Sequence, residues 1–275
     1  GSNFRVMMVK LEGNGKRPAM VIKRFKLQKK HRTRDGEVLF NAIAGFNRKF
    51  LKKYVYKKTY NLGFTFSFPA RQTAIDSGIL IKWAKGFTAK RVVGKDVISL
   101  LKAALTREGV HNVKVVSIDN DTTGTQVARA YLDKNCDCGV IIATGTNVCL
   151  RVPMGMITKN FDNKDKYKAR HMVINAESGN FNKRLPRTIY DEMLDKDSSN
   201  PGGQWQEKMV SGKYLGEVTR LVLMGLAKEG FLFQGKVPGM LKRRDRFGTE
   251  TMASISALKP MLRESRERIA MIEKT

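Results

Sequence analysis

The run Val113-Lys114-Val115-Val116-Ser117-Ile118, followed by Asp119-Asn120-Asp121-Thr122-Thr123-Gly124-Thr125, constrains this chain more than any other stretch. Its β-branched residues favour a pleated, half-buried strand. Thr-Thr-Gly-Thr then turns the chain into a predicted helix. The result is a strand–turn–helix unit that carries a carboxylate to the strand end. Such a group facing a cleft is suited to general-base work. An Asp at this junction equally suits a helix N-cap. Taken alone, the stretch leaves both roles open.

The same alternation runs through the chain. Phe4 to Leu11 reads as a strand, Gly13-Asn14-Gly15 as a turn and Ala19 to Ile22 as the returning strand, with a third extended piece over Phe25 to Gln28. Asp35 is placed to cap a helix whose apolar residues Leu39, Phe40, Ile43, Phe46, Phe50 and Leu51 share a face. Leu62 to Phe68 alternates at period two, and Pro69 ends it. A short extended piece follows over Ile79 to Trp83. Asp96 caps a second predicted helix, with Val97, Leu100, Leu101, Ala104 and Leu105 inward. Beyond Thr123 come a helix, a buried-looking strand over Gly139 to Ala143 and a return strand over Cys149 to Val152. Thr144-Gly145-Thr146-Asn147 forms the hairpin tip between those strands. Helices are predicted at Tyr190 to Leu194, Trp205 to Ser211, Tyr214 to Lys228 and Thr249 to Lys274. Alternating strands and helices argue an α/β class.

Composition narrows the setting. The 275 residues are 41% hydrophobic, enough for one large domain or two lobes. No apolar run reaches the roughly 18 residues of a membrane span, so a soluble protein is expected. No signal-peptide pattern opens the chain, because Arg5 and Lys10 interrupt its first apolar run. Three cysteines, Cys136, Cys138 and Cys149, suit a reducing compartment. Cys136-x-Cys138 is a poor zinc site where His is scarce. The formal charge is +27, with fifteen Lys or Arg against two acids between Lys16 and Lys58. That field attracts polyanions, or it is a solvated surface with no dedicated partner. Several of the aromatics among these bases fit a helix core stripe better than a base-stacking platform.

Two Gly-containing segments suit phosphate. Gly1-Ser2-Asn3-Phe4-Arg5 and Thr144-Gly145-Thr146-Asn147 combine small residues with hydroxyl and amide donors. Leu62-Gly63-Phe64-Thr65-Phe66-Ser67-Phe68-Pro69, with Gln72 to Phe87, resembles the first sugar-binding signature of the eukaryotic hexokinases. Asn120-Asp121-Thr122-x-Gly124-Thr125 resembles their catalytic-base motif, Thr144 to Asn147 their second phosphate loop, and Asn3-Phe4-Arg5 the end of the first. Ile174-Asn175-x-Glu177-x-Gly179-x-Phe181 and Glu207 to Glu217 match two further stretches of that family, in family order.

The resemblance implies a two-lobed actin-like ATPase (ribonuclease H-like) fold of α/β class, incomplete in this chain. Residues 1–119 would form the small lobe and 120–275 part of the large lobe. It implies transfer of the γ-phosphoryl group of ATP, as the Mg2+ complex, to the 6-hydroxyl of glucose or a related hexose. Ser67, Lys85, Asn120, Asn147, Glu177 and Glu207 would hold sugar hydroxyls, because amides and carboxylates match paired donors and acceptors. Asp121 would take the proton of the attacking hydroxyl from near the hinge. Asn3, Arg5, Thr144, Gly145 and Thr146 would meet the nucleotide phosphates. No residue is assigned as a metal ligand.

Three departures from the family pattern bear on activity. Ala84 stands where the family has Thr, removing one hydroxyl worth roughly 0.5–1.5 kcal/mol in a neutral hydrogen bond. Ser178-Gly179-Asn180-Phe181-Asn182-Lys183 replaces the family's Trp-Gly-Ala-Phe-Gly-Asp, which reshapes the pocket wall. The family's Asp-x-Gly before the first phosphate tip and its C-terminal adenosine stretch are absent from the sequence. Rival expectations are therefore a hexokinase-like protein that binds sugar without turnover, and a nucleic-acid or polyanion binder on the same fold. A cytoplasmic location is the default expectation, with the glycosome as the alternative.

Overall fold

The computed structural model describes residues 3–13, 15–54, 59–83, 86–158, 169–244 and 246–257. It divides into two compact units, Gly1–Asp137 with Arg151–Ile174 and Cys138–Leu150 with Asn175–Thr275.

In the first unit, β1 (Asn3–Lys10) pairs antiparallel with β2 (Ala19–Lys26), so Phe4 lies opposite Phe25 and Arg5 opposite Arg24. The extended piece expected at Phe25 is thus the end of β2 and not a strand of its own. A short α1 (Lys29–Thr33) leads to α2 (Gly36–Tyr54). The Asp35 carboxylate accepts from the Glu37 N–H at 2.9 Å, which fixes the start of α2. Leu39, Phe40, Ile43, Ala44 and Phe50 form its buried stripe. Phe46, partly buried, stacks on Phe25 with ring centroids 4.6 Å apart and ties the hairpin to the helix. Phe46 therefore serves the core, as the stripe predicts.

β3 (Tyr60–Thr65) is followed by the hairpin of β4 (Ala70–Ala74) and β5 (Ser77–Leu80). Little in the residue pattern announces β4, whose centre is Arg71-Gln72-Thr73. The extended piece predicted over Ile79 to Trp83 is strand only as far as Leu80. Beyond it α3 (Val97–Arg107) starts at Asp96, whose carboxylate accepts from Ile98 N–H and Ser99 N–H. β6 (Val113–Asp119) then runs parallel to β3, with Thr65 opposite Asp119. Leu39, Phe40, Ile43, Phe64, Phe66, Leu80, Ile98, Leu101, Val115 and Ile118 belong to one core cluster joining α2 and α3 to these strands.

α4 (Asp121–Ala130) begins three residues before the predicted start. The cause is Asn120, whose side-chain oxygen accepts from Thr122 N–H at 2.8 Å, making Thr-Thr-Gly-Thr the first helical turn. The capping role open to Asp121 is therefore filled by its neighbour. Buried Gln126 anchors the helix by donating to the Cys136 carbonyl at 2.6 Å.

β7 (Cys138–Ile142) and β8 (Thr146–Pro153) form a hairpin, and β9 (His171–Asn175) completes a sheet of order β7-β8-β9. Among the described residues β7 is an edge strand. Val140 is 48% and Ile142 73% exposed, so its apolar run does not mean burial here. Thr146 and Asn147 are already in β8, opposite Ile142 and Ile141, which shortens the predicted tip.

The second unit continues with α5 (Ile189–Lys196), α6 (Trp205–Val210), α7 (Leu215–Lys228), α8 (Gly239–Lys242) and α9 (Thr249–Ala257). Leu194, Tyr214 and Leu221 form its buried apolar cluster. Lys208, 1% exposed, donates to Asp195 at 2.5 Å and to the Asn200 carbonyl at 2.7 Å, so an ion pair locks α5 to α6. Arg220 pairs with Glu217 and donates to the Leu241 carbonyl, which joins α7 to α8. The predicted helix beyond Ala257 lies outside the described residues. Among the described residues, no helix is long and apolar enough to cross a membrane.

Candidate active site

In the second unit, hydrogen bonds bring residues from three distant segments together. The Glu207 carboxylate, on the first turn of α6, accepts from Thr146 N–H at 3.1 Å and from Gln204 Nε2 at 3.3 Å. Close approach is possible because Gly145 and Gly179 have no side chain. A Cβ at Gly145 would sit 2.8 Å from Glu207 Oε2, and one at Gly179 3.0 Å from the Thr146 carbonyl. Next to Thr146, the Asn147 amide donates to Asn175 Oδ1 at 2.7 Å, and Asn175 donates to Glu177 Oε1 at 2.8 Å. Glu177 and Gln204 both have positive φ, 49° and 56°. Non-glycine residues adopt this left-handed conformation at a cost, and such strain concentrates where side chains must be aimed.

The hairpin turn is docked onto the segment between α6 and α7. Gly212 N–H donates to the Ala143 carbonyl at 2.7 Å and Lys213 N–H to the Thr144 carbonyl at 3.2 Å. Thr144 is exposed. Thr146 is buried, its hydroxyl donating to the Ile141 carbonyl at 3.1 Å. Thus Thr144, Gly145, Thr146, Asn147, Glu177 and Glu207 occupy one neighbourhood. Sequence reasoning missed Asn175 and Gln204 as members of it. Asn175 sits inside a quoted motif, but nothing in a sequence distinguishes an Asn that touches two others from an ordinary strand end.

In the first unit, Ser67 and Asn120-Asp121 follow the carboxyl ends of adjacent parallel strands, β3 and β6. Phe66 N–H donates to the Asp119 carbonyl at 2.7 Å, extending that pairing to the residue before Ser67. Ligand groups in α/β sheets concentrate at such strand ends. Ser67 is flanked by Phe66 and Phe68, which pack with Trp83 and Phe87 in one aromatic cluster, Phe68 lying 4.9 Å from Trp83 and 5.0 Å from Phe87. The period-two Phe pattern thus anchors the turn that carries the hydroxyl. Asp121, half-buried, is the first residue of α4, and its carbonyl accepts from the Thr125 hydroxyl at 2.8 Å. Arg5 is exposed on β1. Asn3 begins that strand opposite Lys26. Lys85 and Ala84 lie outside the described residues. Among the described residues, no group of three or more His, Cys, Asp or Glu is arranged to hold a metal ion.

Family models described as hexokinase match residues 1–131 and 137–274. The chain belongs to the hexokinase family. It is 38% identical to hexokinase-2 of Homo sapiens over 97% of its own length, and 40% identical to hexokinase-1 of Homo sapiens over 94%. It spans only 29% and 28% of those two proteins. A hexokinase from Schistosoma mansoni, solved in complex with glucose, superposes with a TM-score of 0.74 at 37% identity, covering 90% of this chain and 56% of that one. A second hexokinase structure gives a TM-score of 0.73 at 33% identity, covering 94% of this chain and 56% of that one. The fold is accordingly the α/β actin-like ATPase fold of the hexokinases, as the ordered motifs imply.

Proposed function

We propose that the chain carries the sugar-phosphorylating chemistry of a hexokinase, transferring the γ-phosphoryl group of ATP to the 6-hydroxyl of glucose or a related hexose. The observation that carries this reading is the network around β8, in which Asn147, Glu177 and Glu207 meet through Thr146 and Asn175 although they lie far apart in the sequence. Amide donors beside carboxylate acceptors match the paired hydroxyls of a sugar. The family match along the chain and a glucose-bound relative support the same substrate class.

In this reading Ser67, Lys85, Asn120, Asn147, Glu177 and Glu207 hold sugar hydroxyls. Asp121 accepts the proton of the attacking 6-hydroxyl as the oxygen moves toward phosphorus. Asn120, by capping α4, keeps the Asp121 carboxylate out of helix capping and available to the substrate. Thr144, with its exposed hydroxyl at a hairpin turn, and the Gly145 backbone are suited to polyphosphate, with Asn3, Arg5 and Thr146 completing the nucleotide contacts. Mg-ATP supplies the phosphoryl group and the charge that neutralises it in flight. The protein's share is placement of the hydroxyl and its proton.

Asp121→Ala tests the proposal. Calorimetric titration with glucose is expected to show binding largely retained, while glucose-6-phosphate formation is lost. Unchanged turnover removes Asp121 as the base. Glucose binding by the unaltered chain without product would support a sugar-binding protein in place of a kinase.

A further inference from the structure

Asn147, Asn175 and Glu177 form a relay whose polarity is fixed at one end by the backbone. The N–H groups of Val148 and Ser178 donate to Asn147 Oδ1 at 2.8 and 3.1 Å. A main-chain N–H cannot accept, so the amide oxygen must face these donors. Asn147 Nδ2 is therefore turned toward Asn175 and donates to its Oδ1 at 2.7 Å. That contact settles the second amide as well. Asn175 Nδ2 is left facing Glu177, whose Oε1 accepts at 2.8 Å. Neither amide can flip without setting donor against donor or acceptor against acceptor.

The relay has a firm base and a strained end. Ala176 N–H donates to the Val148 carbonyl at 2.9 Å, which registers the residue after Asn175 against β8. Asn175 is half-buried at the end of β9, whereas Glu177 is exposed and left-handed, with φ 49° and ψ 44°. An exposed carboxylate on a strained residue has many rotamers open to it unless something selects one.

We propose that Asn175 is a positioning residue for hexose binding. It passes the fixed polarity of the β8 backbone to Glu177 and holds Oε1, so that Oε2 is presented as an acceptor. Asn147 keeps its second Nδ2 hydrogen as a donor. An acceptor and a donor held in this way select a hydroxyl, which both gives and takes a hydrogen bond, over an ammonium or a carboxylate. The inference rests on the reading of Asn147 and Glu177 as sugar ligands, and Asn175 need not touch the sugar itself.

The test is calorimetric glucose titration of Asn175→Asp, Glu177→Gln and the double variant, with thermal melts to confirm folding. Asn175→Asp sets a carboxylate oxygen against Glu177 and is expected to weaken binding about tenfold or more, since a charge-assisted hydrogen bond becomes a repulsion. Glu177→Gln turns its own N–H2 toward the sugar when Asn175 holds its oxygen. In the double variant the bond reverses direction. The amide introduced at position 177 donates to the carboxylate introduced at position 175, and the amide oxygen faces the sugar again. The double variant is therefore expected to bind tighter than either single one, which a merely structural role does not produce. Asn175→Ala, which removes the donor without adding charge, serves if Asn175→Asp does not fold, and is expected to bind about fivefold more weakly than the unaltered chain. Wild-type-like binding by the Asn175 variants, or additive losses in the double variant, overturns the inference alone. An unaltered chain that does not bind glucose overturns it together with the reading beneath it.

Discussion

The Glu207 carboxylate accepts a hydrogen bond from the Thr146 main-chain N–H at 3.1 Å, across a gap in the sequence of 61 residues. That one bond ties the start of α6 to the start of β8. It also explains the glycine beside it, because a Cβ at Gly145 would lie 2.8 Å from the same carboxylate oxygen.

Gly145→Ala is accordingly predicted to push the Glu207 carboxylate aside while leaving the fold intact, since the group it meets is the flexible end of a side chain. Losing a charge-assisted hydrogen bond costs about 1.5–3 kcal/mol. Glucose affinity should fall by about one to two orders of magnitude if the displaced carboxylate loses a sugar hydroxyl, with the melting temperature lowered by a few degrees through the unpaired Thr146 N–H. Calorimetry and a circular-dichroism melt on the same samples check both halves, and a destabilised protein with unchanged affinity would contradict the argument.

Asn120 offers a separable prediction. Its side chain caps α4 through Thr122 N–H at 2.8 Å. Asn120→Ala should cost about 1 kcal/mol of stability through the lost cap. Asn120→Asp, an equally good cap, should keep that stability but bring a second carboxylate beside Asp121. If the proposed sugar role of Asn120 is right, both variants weaken glucose binding, and only the alanine variant lowers the urea midpoint. Two variants that behave alike in both measurements would show that cap and sugar contact are not separate roles.

Much of this arrangement was readable from residue order, and the exceptions have physical causes. The stripe Leu39, Phe40, Ile43, Phe50 and the alternation Phe64, Phe66, Phe68 announce α2 and the aromatic anchor, because burial is periodic. The run ending at Ile142 misleads because an apolar sequence records preference for burial, and the sheet face that carries Val140 and Ile142 is left uncovered among the described residues. Asn175 and Gln204 stay hidden because their importance lies in partners 28 and 3 residues away that only the folded backbone brings within reach. α4 starts early because two adjacent residues, Asn120 and Asp121, compete for the cap and a sequence does not rank them.

The buried pair between Lys208 and Asp195 yields a stability prediction. Lys208→Met removes the cation that donates to Asp195 at 2.5 Å and leaves the carboxylate with the Gly202 N–H but without that buried counter-charge. Stranding one partner of a buried pair costs about 3–5 kcal/mol. Adding Asp195→Asn should recover a large part of the loss, because the neutral amide no longer needs the charge. Urea unfolding of the single and double variants decides the matter. A double variant as unstable as Lys208→Met alone would show that Lys208 acts mainly through packing on Trp205, whose ring lies 5.7 Å from the ammonium.

Acid should act through Asp96 and Asp195. Burial pushes the Asp96 carboxyl up, but the Ser77 hydroxyl at 2.7 Å and the N–H groups of Ile98, Ser99 and Gly78 outweigh it and hold the group below its ordinary value. Burial likewise raises Asp195, and Lys208 with Gly202 N–H more than reverses it. A carboxyl lowered in the folded state contributes stability that is fully present above its unfolded pKa, about 3.9, and is lost as pH falls through the folded value. The share of stability carried by these two carboxyls should therefore be level above about pH 5 and decline below about pH 4. Asp96→Asn keeps an oxygen for the α3 cap but cannot titrate, so its urea midpoint should start lower at neutral pH and decline less steeply in acid than that of the unaltered chain. Identical acid slopes in the two proteins would assign the loss to other carboxylates and remove Asp96 from the account.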